Sequence, residues 1–217
     1  VTARIVADDE AGRAEAIGVL RAGGIVALPT DTVYGIAVDL ATPGGVERLS
    51  AAKRRPPGKG IVLLLASAAQ ANDVGVLGAA ARALAAALWP GGLTLVVPSR
   101  PDVALPAALT GGTPTIGLRF PDHPAPRALA AAVGPIPTTS ANRSGRPEAR
   151  DAADVVDQVG DAVDLVLDGG SAHGGPASTV VDCTGDRPRV LRVGAVPLAD
   201  VVAVLDAAGV DHDVGPG

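Results

Sequence analysis

Several residue types are scarce in this chain, and each shortage closes a class of function. Cys183 is the only cysteine among 217 residues. That removes an intrachain disulfide, a cysteine-based zinc cluster and a CxxC redox pair. The three histidines, His123, His173 and His212, lie far apart in sequence, so a protein-held metal site is not expected. Methionine is absent and the aromatics are Tyr34, Trp89 and Phe120 alone, which leaves Ala, Val and Leu to fill the core. The longest apolar run, near Ile61 to Ala69, is too short to cross a bilayer. The first ten residues carry Arg4, Asp8, Asp9 and Glu10 where a signal peptide has an apolar stretch. A soluble cytoplasmic protein with no membrane partner is the expectation. No Walker-type glycine loop occurs, no GxGxxG follows a strand, and no Ser-His-acid or Cys-His pattern stands out.

What is present describes a folded unit. An apolar content of 47% argues against disorder, and 28 Gly and 19 Pro, dispersed along the chain, indicate many tight turns. The length predicts one domain over residues 1–208, with a tail over 209–217, rich in Asp, Gly and Pro, that is expected to fray. Helical spacing follows Asp8-Asp9 over 9–22 and stops at Gly23-Gly24. Thr42-Pro43 reads as a cap and first position opening a helix through about Lys53. Further helices are predicted at 78–88, 124–133, 151–159 and 197–208. Strand-like runs fall at 25–28, 61–65, 93–97, 115–120, 136–139, 163–167, 178–182 and 190–192. Strands and helices interleave without strict βαβ alternation. The fold class is therefore α/β (α+β), a twisted open mixed sheet flanked by helices.

The net charge of −5 argues against a protein whose main task is coating nucleic acid. Its distribution is uneven: residues 53–150 hold eleven Lys or Arg against four acids, while 151–217 hold three Arg against twelve acids. A basic middle between acidic flanks suits a focused anionic-ligand site, or simply solvated helix faces. Both lysines of the chain, Lys53 and Lys59, fall in KRRPPGK, with Arg54 and Arg55 between them. Four cations in a proline-stiffened loop are able to converge on one polyanion, and a solvated basic loop is the plain alternative.

Three further segments run off strands into polar residues. LPTDTVYG (28–35) presents Thr30, Asp31, Thr32 and Tyr34; TPTIGLRFPDHP (113–124) ends its strand at Arg119; PIPTTSANRSG (135–145) brings Thr138, Thr139, Ser140 and Asn142. Strand ends are where open sheets bind ligands, although turns that satisfy only their own backbone look the same. Arg119 requires an anionic partner if buried, either a structural Asp or a ligand carboxylate or phosphate. The aromatics are able to stack on a base, but burial is their commoner fate. The glycine-rich stretch 168–175 has no Lys-Ser/Thr partner and reads as a hinge or turn.

PTDTVYG, AAKRRPPGK, LWPGGLT, TIGLRFPDHP, TTSANRSG, GGPASTVVD and VLRVG occur in this order between residues 29 and 194. Together they resemble the YrdC-like family, the L-threonylcarbamoyladenylate synthases, in its short single-domain form. The resemblance implies a large, positively charged concave cavity and the reaction of L-threonine, bicarbonate and ATP to threonylcarbamoyl-AMP and pyrophosphate, which serves N6-threonylcarbamoyladenosine in tRNA. It implies Thr32 and Arg119 on threonine, with Thr138 and Ser178 assisting. Arg55, Lys59, Thr115, Ser140 and Arg192 would hold ATP. Lys53, Arg55, Ser140 and Asn142 form the Lys-x-Arg and Ser-x-Asn catalytic set. Mg²⁺ is expected to arrive with ATP, no protein nucleophile is implied, and catalysis rests on positioning and charge neutralisation. The implied partners are a tRNA threonylcarbamoyl-transferase complex that takes the product and a weak RNA contact. Gly60-Ile61 stands where the family often has Pro-Leu after the lysine, and Leu64 where some relatives have a polar residue near threonine. Glu148 aligns with a nucleotide-contacting position. Two other readings remain open: a stand-alone paralogue of the same fold, and a double-stranded RNA-binding module.

Overall fold

The computed structural model describes residues 3–54, 58–172 and 175–214. Ten strands form one sheet: β1 (Arg4–Ala7), β2 (Val26–Leu28), β3 (Gly35–Ala37), β4 (Val62–Leu64), β5 (Leu93–Pro98), β6 (Thr115–Arg119), β7 (Ile136–Ser140), β8 (Leu165–Asp168), β9 (Thr179–Asp182) and β10 (Arg189–Arg192). Their order across the sheet is β1, β8, β2, β3, β7, β4, β6, β5, β9, β10. The pairs β1/β8, β8/β2, β4/β6 and β5/β9 are parallel and the rest antiparallel, so the sheet is mixed, as expected.

The helices are α1 (Glu10–Arg21), α2 (Gly45–Ala52), α3 (Ala71–Val74), α4 (Ala79–Leu88), α5 (Ala107–Thr110), α6 (Pro124–Val133), α7 (Ala152–Val159) and α8 (Leu198–Ala207), with a 3-10 turn at Gly160–Ala162. Alternation of side chains along the strands sorts the apolar residues to two faces. Val26, Leu28, Ala37, Leu64, Ile136, Leu165 and Leu167 pack against Ala16 and Leu20 of α1 and Ala125, Leu129 and Ala130 of α6. Ala27, Ile36, Leu63, Leu95, Leu118 and Val166 belong to a larger core on the other side with α2, α4, α7 and α8. Asp9 caps α1 by accepting from the Gly12 N–H at 2.8 Å, and His123 caps α6 ahead of Pro124. Gly12 lies so close to the end of β1 that an added Cβ would stand 2.0 Å from the Ala7 carbonyl oxygen.

Several expectations need correction. The helix expected from Thr42-Pro43 starts at Gly45, because Asp39 accepts from Ala41 and Thr42 in a turn and Gly44 adopts a left-handed conformation at φ 68°. Of the tail expected to fray, residues 209–214 are described and make contacts with the fold. The Asp213 N–H bonds the Pro188 carbonyl, His212 pairs with Asp206, and Val214 is buried. Residues 215–217 lie outside the described residues. Strands β1 and β3 and the short helices α3 and α5 carry no pattern long enough to read from sequence. Among the described residues, no helix is long and apolar enough to cross a membrane.

Candidate active site

Where α1 and α6 leave the sheet uncovered, a cleft with a cavity volume of about 150 Å³ opens. It is lined by residues from the ends of separate strands, including Thr30, Thr32, Leu64, Thr94, Arg119, Thr138, Ser140, Ser178 and Arg192. Six of the residues singled out in the sequence therefore meet: Thr32, Arg119, Thr138, Ser140, Ser178 and Arg192. They are spread over 160 positions of the sequence, from 32 to 192, and strand register brings them together. Leu64 pairs with Arg119, Val62 with Thr138, and Gly35 with Ser140. Gly35 has to be glycine there, since a Cβ would stand 2.7 Å from the Thr138 methyl.

Arg119 is 6% exposed and its guanidinium is held on three sides. It donates from Nε to the Gly91 carbonyl (3.0 Å), to Thr32 Oγ1 (2.9 Å) and to Asp31 Oδ1 (2.7 Å). Burial lowers its pKa, Asp31 opposes that by charge and hydrogen bond, and Arg192 adds to the lowering. The anionic partner that the sequence demanded is thus Asp31. Thr30 fixes the loop beneath: its hydroxyl donates to the Val33 carbonyl at 2.7 Å. Having one proton, it must accept in its 3.1 Å contact with Thr32, so Thr32 donates to Thr30 while accepting from Arg119. Gly91 and Gly92 come from the LWPGGLT turn, and a Cβ on Gly92 would meet Ala195 at 2.5 Å and Thr32 at 3.5 Å.

On the opposite wall, Arg192 donates to the Ser178 carbonyl (3.0 Å) and Ser178 Oγ (3.2 Å), and Ser178 Oγ contacts Thr94 Oγ1 at 2.8 Å. Below Ser140 lies a buried polar knot. Lys53, 3% exposed, donates to the Ser140 carbonyl, to Ser140 Oγ (2.8 Å) and to Asn142 Oδ1 (2.9 Å). Ser140 Oγ also donates to Asn142 Oδ1 at 2.7 Å, and Asn142 Nδ2 donates to the Arg146 carbonyl at 2.6 Å. Lys53 of the Lys-x-Arg piece therefore meets Ser140 and Asn142 of the Ser-x-Asn piece, but Lys53 and Asn142 stand behind the cleft wall and fix Ser140. The chain turns away immediately after Lys53 through Arg54, at φ 51°.

The remaining expected residues are dispersed. Lys59 is exposed beside Gly60, which lines the cleft. Thr115 lies on the same face of β6 as Arg119 but four residues, about 13 Å, further along the strand. Its hydroxyl contacts Thr113 Oγ1 at 2.8 Å. Arg55 lies outside the described residues. The structure also adds lining residues that were not assigned a role: Thr94, whose only signal was a hydroxyl in an apolar strand, Glu148, and Tyr34. Trp89 is buried, with its indole N–H on the Leu93 carbonyl, and Phe120 lies under Arg127. Both are used by the fold.

Fold and cleft together define an α/β protein with a pocket at the strand ends lined by two arginines and a row of hydroxyls. A family model described as telomere recombination, the Sua5/YciO/YrdC domain, matches residues 18–194. A Bacillus subtilis (strain 168) protein described as threonylcarbamoyl-AMP synthase is 36% identical over 200 residues, covering 91% of this chain and 58% of that protein. A Mycobacterium tuberculosis (strain CDC 1551 / Oshkosh) protein described as a putative threonylcarbamoyl-AMP synthase is 39% identical over 201 residues, covering 92% and 90%. Among solved structures, Pyrococcus abyssi Sua5 complexed with L-threonine superposes with a TM-score of 0.85 at 32% identity, covering 100% of this chain and 66% of that one. The chain belongs to the Sua5/YciO/YrdC family. It spans a little over half the length of the Bacillus subtilis relative.

Proposed function

We propose that this protein forms L-threonylcarbamoyl-AMP and pyrophosphate from L-threonine, bicarbonate and ATP, a nucleotidyl transfer in the cytoplasm that serves tRNA threonylcarbamoylation. The observation that carries the reading is the Arg119 guanidinium. It is buried at the cleft wall with three of its five N–H donors fixed by Gly91, Thr32 and Asp31, which leaves two for a planar carboxylate. The Pyrococcus abyssi relative solved with L-threonine supports the amino acid as ligand.

In this reading Arg119 and Thr32 bind the threonine carboxylate, and Thr138 and Ser178 orient the rest of the amino acid. The free amine captures bicarbonate with loss of water, giving a carbamate whose oxygen attacks the α-phosphorus of ATP as pyrophosphate leaves. Arg192, Ser140, Lys59, Arg55 and Thr115 hold the nucleotide, with Mg²⁺ entering as part of the ATP substrate. Thr115 stands some 13 Å beyond Arg119 on the same strand face, which suits a substrate longer than an amino acid. Lys53 and Asn142 act by holding the Ser140 hydroxyl in place. No side chain forms a covalent bond, so the rate arises from alignment and charge neutralisation. The mixed anhydride product is labile and passes to a tRNA threonylcarbamoyl-transferase complex.

Pyrophosphate release from ATP tests the reaction, with L-threonine, L-serine or no amino acid, and with bicarbonate depleted. Release that needs both L-threonine and bicarbonate is expected. ATP binding without threonine-dependent turnover overturns the reading in favour of a paralogue with another substrate.

A further inference from the structure

Tyr34 has no assigned part in the chemistry, yet it ties segments distant in the chain to the back of the cleft. The residue borders the cleft, and its side chain belongs to the larger core behind the sheet, 0% exposed. Its backbone N–H bonds the Ala149 carbonyl at 3.0 Å, and its own carbonyl accepts from Ala141 at 2.8 Å. Its hydroxyl accepts from the Gly169 N–H at 3.0 Å and donates to the Gly170 carbonyl at 2.7 Å. Both groups of that turn are thereby satisfied by one side chain 135 and 136 residues away.

Other contacts shape the turn as well. Gly170 is left-handed at φ 76°, and its N–H is bonded to Asp168 Oδ1 at 2.9 Å. Gly169 abuts Pro29 so closely that a Cβ would stand 2.8 Å from the proline Cγ. The Ala172 N–H on the Arg150 carbonyl at 2.7 Å pins the segment once more, and Ala177 and Ser178, a few positions on in sequence, stand in the cleft wall. Ser178 in turn holds Arg192 through its carbonyl and hydroxyl.

We infer that the Tyr34 hydroxyl is a positioning group: it sets the glycine-rich turn from which the wall bearing Ser178 departs, and so tunes amino-acid binding without touching the substrate. Burial raises the phenol pKa to about 12, so the hydroxyl keeps the proton that it donates to Gly170 throughout the physiological range. The choice of substrate rests on the proposed function, while the clamp itself does not.

Tyr34→Phe keeps the ring and removes both bonds. Hydrogen exchange should quicken at Gly169, Gly170 and the residues up to Ser178 and stay unchanged in β4 and β6. The L-threonine Kd should rise about 10-fold, with kcat altered by less than about 3-fold, a loss on the scale of one or two buried hydrogen bonds. In a double-mutant cycle with Ser178→Ala, the Tyr34→Phe penalty should shrink to less than about 2-fold, since the two act through one wall. An unchanged Kd, additive penalties, or exchange that quickens evenly over the whole sheet overturns the inference. If the wild-type protein binds no L-threonine, the proposed function fails, and the exchange pattern alone decides on the clamp.

Discussion

One face of the sheet is treated in two ways. Toward α1 and α6 it is sealed by Leu28, Ala37 and Ile136; a few residues along the same strands it becomes the cleft. The change happens at matching levels. In β7, Ile136 is sealed while Thr138 and Ser140, on the same face, line the cleft; in β3, Ala37 gives way to Gly35; beyond β2, Leu28 is followed two residues on by Thr30. Side chains two apart share a face, so this is one surface that switches from apolar contact to hydroxyls and hydrogen. The lesson is that the sealed half is built for packing, while the bare half, on the proposed function, is the half that meets substrate. A single substitution should affect one and spare the other.

The sharpest break is expected at Arg119. Arg119→Lys keeps the charge but not the fork, and should lower kcat/KM for L-threonine by about 100-fold or more while the protein stays folded. Steady-state pyrophosphate release measures it, and an effect confined to the ATP KM would show that the pocket is divided differently. Ile136→Ala and Thr138→Val, two residues apart on one strand face, test the boundary itself. The first should cost about 2–5 kcal/mol in urea unfolding with an unchanged threonine KM. The second deletes a hydroxyl that donates to the Ile136 carbonyl at 3.0 Å, and should raise that KM about 10-fold for about 1 kcal/mol of stability. Equal behaviour of the pair would erase the distinction between the halves.

A gentler probe is pH. With the Tyr34 phenol moved from the usual 10.0 to about 12 by burial, the unfolded chain ionises first. Stability should therefore be insensitive to this group below pH 10 and fall as the pH rises from 10 toward 12. Urea unfolding across that window, with phenolate absorbance for the single tyrosine, checks the sign. The smallest effect belongs outside both halves: Asp206→Asn, at an exposed carboxylate paired with His212, should change stability by no more than about 0.5 kcal/mol.

The sequence made the long elements plain because periodicity is a local property. Helices α1, α4, α6 and α8 fall within a residue or two of where spacing, caps and glycines put them. Strand β3 did not show, since three residues, Gly35-Ile36-Ala37, following a turn carry no period. The site was legible as residue types at strand ends but not as roles. Lys53 looked like a cation for a phosphate; it is spent on Ser140 and Asn142, residues 87 and 89 positions away, a contact that no local pattern encodes. For Arg119 the sequence posed an alternative, a structural Asp or a ligand, and the geometry supplies the Asp. Asp31 occupies one side of the guanidinium and leaves donors for another anion.

The order of the strands also sets a timetable. β1, with Arg4 facing Leu165, has no partner until β8 exists, and β10, which carries Arg192, follows later still. At a synthesis rate of roughly 5–20 residues per second, the first strand waits on the order of 10–30 s for its neighbour. Arg119, Thr138 and Ser140 can be in register well before then, but the wall of Ser178 and Arg192 closes last. Until then the molecule is a half-built sheet with unpaired edges, and the pocket is complete only once Arg192 has emerged.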